Sequence, residues 1–480
     1  MHPRPAMTRL ILSTCAVLCA LVAQAAAQAS GVGQAVAAAR VMTLPDALLY
    51  ALDHYPTVRA ALEQVNASSA GVDVAKAAYL PRLDGVVQVN RATVNNVTGL
   101  LLPQSTLPGI SGPPLPSAAS ASAWGTAAGA LFSWEPFDFG LRGASVRAAE
   151  AAVGKARADE ALTRLEVQSA VAAAFLAMVQ AEQGVTAAAA DVDRRTVLAR
   201  AARTLADNEL RPGAEASRAE AERAAADTRA ILARQTLVLA QTHLTRVLGV
   251  TAGAVGVNAA GLLATVPPAN ALTNAPAAHP LAQARQSSVE QARVQEDVLA
   301  RTNRPRLFLQ SALFSRGSGA SFNGSLEGGA EGLWPDRPNW AAGMQVVFPN
   351  LFEVSSLRAR REASAATTRM ETARYEEALL AVTSQQQAAA AIVSAARAVA
   401  ANTPVQLAAA RQSEAQASAR YQAGLASIVE VADTQSLLAQ AEYQDAVARV
   451  DVWRALLAEA VAHGDLTPFV TLVSSPRGAP

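Results

Sequence analysis

The sequence predicts a mainly α-helical fold with a small β part, assembled from duplicated long-helix hairpins, and three observations predict it. The segment 44–262 returns as the segment 273–466. Each copy carries one apolar helix pattern far longer than the three or four turns usual in a compact domain. Each copy also breaks its helical pattern once, with a pair of period-two segments.

The repeat is read from landmarks at near-constant offsets. Tyr55-Pro56 returns as His279-Pro280, and Leu80-Pro81-Arg82-Leu83 as Arg304-Pro305-Arg306-Leu307, both 224 positions on. Phe137-Asp138 answers Phe352-Glu353, Asn208 answers Gly424 and Leu248-Gly249 answers His463-Gly464, at offsets of 215 or 216. The lost residues fall between Leu83 and Phe137, in a Pro/Gly/Ser-rich stretch, and length changes of that kind mark a loop.

Taken in order, residues 1–27 read as a secretory signal. Arg4 and Arg9 give a positive start, Leu10 to Val22 an apolar run too short for a bilayer, and Ala23-Gln24-Ala25 or Ala25-Ala26-Ala27 a small-residue cleavage site. Cys15 and Cys19 both lie inside it, so the mature chain is expected to hold neither disulfides nor thiol-bound metal. Residues 28–43 form an Ala/Gly-rich leader without period, for which no structure is expected. Thr43 then caps a helix with Pro45 in its first turn, and a second helix runs from about Pro56 to Tyr79, stopping before Pro81.

From 83 to 94 the period becomes two, with Val87 and Val89 alternating with Gln88 and Asn90. Residues 95–123 read as a surface loop, and a second strand covers about 124–134. The second copy repeats this with strands at about 306–316 and 339–348 around a Gly-rich loop at 317–338. Trp124, Trp134, Trp334 and Trp340 all fall at strand ends or loop bases. Tryptophan favours that depth in a membrane interface, and it also serves in ordinary packing.

The long helices span 139–204, which has no proline, and 354–421, whose defect is Asn402-Thr403-Pro404. A kink or restart is expected there, because proline removes a backbone donor. Leu162, Leu165, Ala172, Leu176 and Val179 keep a seven-residue a/d repeat, interrupted at Ser169. At ~1.5 Å per residue the first helix reaches about 100 Å, against a bilayer core of about 30 Å, so neither is a transmembrane span. Turns at 208–213 and 421–424 lead into return helices at 214–248 and 428–463, and residues 467–480 are left as a C-terminal tail. The acidic pair Asp191-x-Asp193 reads as a solvated helix face.

Composition narrows the function. Forty Lys+Arg against 39 Asp+Glu leave +1, with no basic stripe, so a nucleic-acid partner has no electrostatic support. Aromatics are 4% while apolar residues reach 51%, much of it alanine, which suits thin helices set close together. No phosphate-binding loop is present, and the five histidines never stand at metal-ligand spacing, so neither an enzyme nor a cofactor is expected. Four strands cannot close a membrane barrel, which needs about eight, and open edges in lipid cost several kcal/mol per unpaired group. Narrow alanine seams likewise bury little within one chain. Both arguments require a homo-oligomer.

The signal peptide, the duplication, the Pro-Arg-Leu strand starts, the Leu-Gly helix end, and Tyr421-x-x-Gly424 followed by Ile428-Val429-Glu430-Val431-Ala432-Asp433 together resemble the TolC-like outer-membrane efflux proteins of Gram-negative bacteria. The resemblance covers 44–466. It implies a homotrimer in which four strands per chain build a shared twelve-stranded β-barrel, continued across the periplasm by an α-helical barrel. It implies a passive export duct of a tripartite efflux or type I secretion system, coupled through a periplasmic adaptor to an inner-membrane pump. It also implies a periplasmic gate at Glu430 and Asp433, six and nine positions after the turn glycine, and adaptor docking at the tip turns of Tyr421, Gly424, Asn208 and Gly213. Ala426 departs from the pattern, standing where the family prototype has an arginine that helps latch the closed state. On the residues alone, Glu430 and Asp433 could equally be solvated acids near a positive helix end. The competing reading of the whole chain is a secreted periplasmic or surface coiled-coil structural or adhesion protein.

Overall fold

The structure, a computed structural model, describes residues 40–93, 122–250, 255–263, 267, 274–317, 330–349 and 353–474. The expected signal segment 1–27, most of the leader, the middle of both strand-connecting loops and the end of the tail lie outside the described residues.

The chain enters through strand β1 (Arg40–Met42) and helices α1 (Leu44–His54) and α2 (Pro56–Ala77). Strands β2 (Arg82–Thr93) and β3 (Ser122–Phe137) follow, then the long helix α3 (Leu141–Asp207) and its return helix α4 (Gly213–Leu248). Strand β4 (Val255–Val257) and a single helical turn lead to the second copy. That copy holds α5 (Pro280–Arg301), β5 (Arg306–Gly317), β6 (Arg337–Val347), α6 (Val354–Gln422) and α7 (Ile428–Ala462), and helix α8 (Thr467–Ser474) closes the described chain.

The four long strands form one antiparallel sheet in the order β2-β3-β5-β6. At one end of the sheet the chain passes into helices, and α3 is their spine. Toward the sheet α3 packs against α2 and α5, and farther away against α4 and α7, while α6 packs on α5 and α7. Between these halves lies a waist with the bulky core: Leu44, Leu48, Val171, Phe175, Leu176, Leu244, Leu248, Trp453 and Phe469. Trp453 donates from Nε1 to the Leu262 carbonyl at 2.7 Å and meets Phe469 edge-on at 6.1 Å, so its one polar atom is satisfied inside apolar surroundings.

Helix ends follow local chemistry. Thr43 and Asp46 form the capping box of α1, Thr43 Oγ1 accepting from the Asp46 N–H and an Asp46 carboxylate oxygen from the Thr43 N–H. At the far ends of α4 and α7, Gly249 and Gly464 take φ of 73°, and the residues after them donate back to Thr245 and Ala460.

Several expectations need correction. The leader is not structureless at its end: β1 pairs in parallel with β4, and Met42 is buried in the waist. Three residues are too few to show a period, and their partner lies more than 200 positions away. The helix neither breaks nor restarts at Pro404; α6 runs through it. Side-by-side contact with α7 sustains it there, including a buried 3.1 Å bond from Thr403 Oγ1 to Asp445. The tail carries α8, packed on α1 and α7. Asp191 is not on a solvated face, although Asp193 is exposed. Asp191 is 3% exposed and accepts from Arg195 Nε at 3.0 Å and Arg229 at 2.8 Å. Arg195 also reaches Glu222 on α4 and Ser436 Oγ on α7, a buried network tying three helices.

Candidate functional site

Two regions stand out. The first is the sheet, whose two faces differ in chemistry. One face carries Leu83, Val87, Val89, Ala130, Leu313, Trp340, Met344 and Val346, all of them exposed. The opposite face carries Asp84, Gln88, Gln310, Asn339, Gln345, Arg316 and Arg337 beside small residues and a buried apolar cluster with Leu131 and Phe314, and is the more covered of the two. A water-soluble sheet would show the reverse, so the exposed face is built for an apolar medium. Edge strands β2 and β6 pair on one side only among the described residues, leaving rows of backbone donors and acceptors without a strand partner.

The four tryptophans lie at both ends of this sheet. Trp134 sits at the helix end and donates to the Tyr79 carbonyl at 3.0 Å. At the loop end, Trp124 lies under the Arg91 guanidinium at 5.5 Å, Trp340 stands directly opposite Leu313, and Trp334 precedes β6. Trp334 and Trp340 are about three-quarters exposed.

Both long helices contain an 18-residue window apolar enough to cross a bilayer, but at 67 and 69 residues each is about 100 Å long by its rise per residue. The sheet, not these helices, has the dimensions of a bilayer.

The second region is the far tip, where α3 turns into α4 and α6 into α7. The two turns are superimposable in hydrogen bonding. Glu209 N donates to Ala206 O at 3.0 Å and Leu210 N to Leu205 O at 2.9 Å; Gly424 N donates to Tyr421 O at 3.0 Å and Leu425 N to Arg420 O at 2.8 Å. The left-handed residues are Glu209 (φ 59°) and Gly424 (φ 79°). The partner of Gly424 is therefore Glu209, not Asn208, which has φ −92° and spends its side chain on the Thr204 carbonyl at 2.7 Å. Gly213 opens α4 behind Pro212, with open space around it.

Tyr421 is buried at the tip and donates to Glu215 at 3.4 Å, while Arg211 stacks over its ring at 5.2 Å and lies 3.7 Å from Glu215. Burial first and the Glu215 charge second push the phenol pKa above its ordinary value, so it stays a donor. Leu210, Arg211, Tyr421 and Gly424 border a groove of about 1110 Å³.

Glu430 lies in the first turn of α7, where Ser427 Oγ accepts from its N–H. Arg420, which the sequence reading did not single out, donates to the Glu430 carboxylate at 3.0 Å across the turn. Opposite charges flanking a glycine turn were the available signal. Asp433, three positions on and on the same helix face, is exposed and forms no ion pair among the described residues. Ala426 is buried in a small apolar cluster with Ala202, Ala219, Ile428 and Val431.

Residues 48–250, the first copy, match the family described as outer membrane efflux protein. No curated protein matches the chain. Among solved structures, VceC of Vibrio cholerae is 17% identical with a TM-score of 0.69, covering 88% of this chain and 96% of that one. The CmeC outer membrane channel of Campylobacter jejuni is 14% identical at a TM-score of 0.70, over 90% and 89%. The MtrE channel of Neisseria gonorrhoeae is 17% identical at 0.66, over 88% and 89%. These likenesses are of fold, and they extend across both copies. The first copy thus matches the outer membrane efflux protein family, and the chain shares the fold of these outer-membrane channels across both copies.

Proposed function

We propose that three copies of this chain form one export duct, the outer-membrane component of a tripartite efflux or type I secretion system. The observation that carries it is the sheet: four strands, an exposed apolar face and two edges without a strand partner. A single copy in lipid would leave those edge groups unsatisfied at several kcal/mol each, and three copies joined β6 to β2 give twelve strands with no edge.

The helices support the same arrangement. Along one side of the layer, α2 and α4 expose Val74, Ile231, Leu232, Val238 and Leu239; along the other, α6 exposes Leu380, Ile392, Val399 and Val405. A neighbouring copy would set one stripe against the other and close a helical ring. Trp124 and Trp134 lie on one face of β3, ten residues apart. At ~3.3 Å per residue and a tilt of about 40° that is roughly 25 Å of height, the thickness of an outer-membrane apolar band. The four tryptophans would then anchor both interfaces, with the first 27 residues as the export signal and the two copies as the two halves of each protomer's wall.

At the far tip, Glu430 and Asp433 would narrow the entrance, since carboxylates converging on one axis repel each other and attract cations. The groove beside Tyr421 and Gly424 would receive a periplasmic adaptor that links the duct to an inner-membrane pump. Transport through it is passive, with the pump supplying energy. The test is fractionation: the mature protein should stay with the outer membrane through carbonate and high-salt washes and run as a trimer in mild detergent. A stable, water-soluble monomer would remove this reading.

A further inference from the structure

Resting on the entrance reading above, the geometry points to a residue that sets its charge. We propose that Arg420 is a selectivity-determining residue: it holds Glu430 in an ion pair, so that Asp433 supplies the uncompensated negative charge at the mouth of the duct.

Arg420 belongs to the last turn of α6 and Glu430 to the first turn of α7. A cation suits a helix C-terminus and an anion a helix N-terminus, so each partner is favoured where it stands even before they meet. The turn between them folds back tightly around Gly424 (φ 79°), which brings residues ten positions apart within reach. Arg420 Nη1 then donates to Glu430 Oε1 at 3.0 Å, while Nη2 reaches the Leu425 carbonyl at 3.4 Å. One guanidinium thus spans the whole reversal. Its positive charge cancels the nearer of the two acids, and Asp433, one helical turn farther along α7, has no such partner among the described residues.

Two neighbouring tip cations are already engaged elsewhere. Arg211 is taken by the Tyr421 ring and Glu215, and Arg203 by Asp207 at 3.3 Å. Ala426 carries no charge and is buried, so the cation that meets Glu430 comes from the helix before the turn. The pair is also well exposed, with 57% and 39% of the two side chains open to solvent. It is therefore a contact that salt screens and cargo can displace, suited to tuning a passage rather than sealing it.

Ion selectivity in planar bilayers tests this with full-length protein purified from the outer membrane. The reversal potential in a KCl gradient reads the potassium-to-chloride permeability ratio. Arg420→Ala should unmask Glu430 and raise that ratio about two-fold or more, as expected for one extra unit charge in a constriction. Adding Glu430→Gln in the Arg420→Ala background should bring the ratio back, and Arg420→Lys should keep the parent value. Asp433→Asn should lower it. If Asp433→Asn lowers the ratio but Arg420→Ala leaves it unchanged, the proposed role of Arg420 is overturned while the entrance stays where it is placed. If Asp433→Asn and the Glu430→Gln/Asp433→Asn pair both leave the ratio unchanged, the entrance itself is misplaced. Insertion of each variant as a conducting channel reports that it has folded and assembled.

Discussion

The two return helices have nearly the same length and the same place in the repeat, yet opposite surroundings. Helix α4 has 36 residues, and below its last two turns it buries only alanines; α7 has 35 and buries Ile428, Val431, Leu438, Val450, Val452, Trp453, Leu456 and Leu457. The cause is position in the layer. Helix α7 lies between α3 and α6, whereas α4 touches α3 and hardly anything beyond it. Its Ile231, Leu232, Val238 and Leu239 are exposed in the lone chain. One copy of the hairpin is the interior of the protomer, and the other is its border. Duplication supplied two equal frames, and the proposed assembly needs them to differ.

The largest expected effect lies on the border. Replacing Ile231 and Val238 with Asp should abolish the oligomer in detergent, seen by sedimentation, while the protomer's own unfolding moves by no more than about 0.5 kcal/mol, as for other exposed sites. An unchanged oligomer would show that α4 does not face a second copy. Next comes the interior helix: Trp453→Ala should cost about 3–5 kcal/mol, from the cavity and from the orphaned Leu262 carbonyl, with the helical signal lost at lower denaturant. A loss below about 1 kcal/mol would mean that the waist is not where α7 is anchored.

A smaller contrast separates waist from tip. Gly464 and Gly424 share a left-handed backbone, φ 73° and 79°, so either one replaced by Ala carries a strain of about 1–2 kcal/mol. Their surroundings differ. A Cβ at Gly464 would come within 2.5 Å of Pro280 Cδ and 3.2 Å of His279 Cα, whereas at Gly424 the nearest atom is a flexible Arg211 nitrogen at 3.9 Å. Gly464→Ala should therefore cost more than Gly424→Ala by about 1–3 kcal/mol, the usual penalty of overfilling a fixed site. Equal midpoints for the two variants would erase the distinction between a fixed waist and an open tip. Glu209→Gly should go the other way and stabilise, by up to about 1 kcal/mol, by relieving the one non-glycine left-handed residue at the tip.

How far the sequence could be read follows the same physics. The alternation of Val87 and Val89 with Gln88 was legible because one face of β2 must tolerate an apolar medium and the other must not. The lengths of α3 and α6 were legible because neither contains a helix stop until its turn. A restart at Pro404 was expected because a local cost was read without the α7 contacts that offset it. Asp191 misled because its partners include Arg229, on a different helix, and only three dimensions bring them together. The β1–β4 pair was invisible for the same reason. At the tip, turn positions were nearly right, but the charge arrangement was not: Arg420 and Glu430 are separated by a turn whose closure has to be known before they count as a pair.

The smallest expected effect is a pH dependence that only the second copy should possess. At the waist, the first copy places Tyr55 beside Gly249, while the second places His279 beside Gly464. His279 is 5% exposed, accepts from the Leu281 N–H at Nδ1 (3.1 Å) and contacts the Val461 carbonyl through Nε2 (3.0 Å), an arrangement that requires the neutral ring with its proton on Nε2. Burial chiefly, with a lesser contribution from His463, lowers its pKa below the ordinary 6.5, although the Val461 carbonyl pulls the other way. The unfolded chain therefore binds this proton at higher pH than the folded one does. Stability from His279 is fully present above about 6.5 and is lost as pH falls through the lower folded value, because a proton on Nδ1 removes the cap of α5 and buries a positive charge at a positive helix end. Unfolding midpoints measured between pH 7.5 and 5 should fall in the parent protein, and His279→Asn, which keeps an oxygen to cap Leu281 but cannot titrate, should flatten that segment of the curve. If the variant keeps the full decline, the acid sensitivity belongs to the carboxylates and not to this junction.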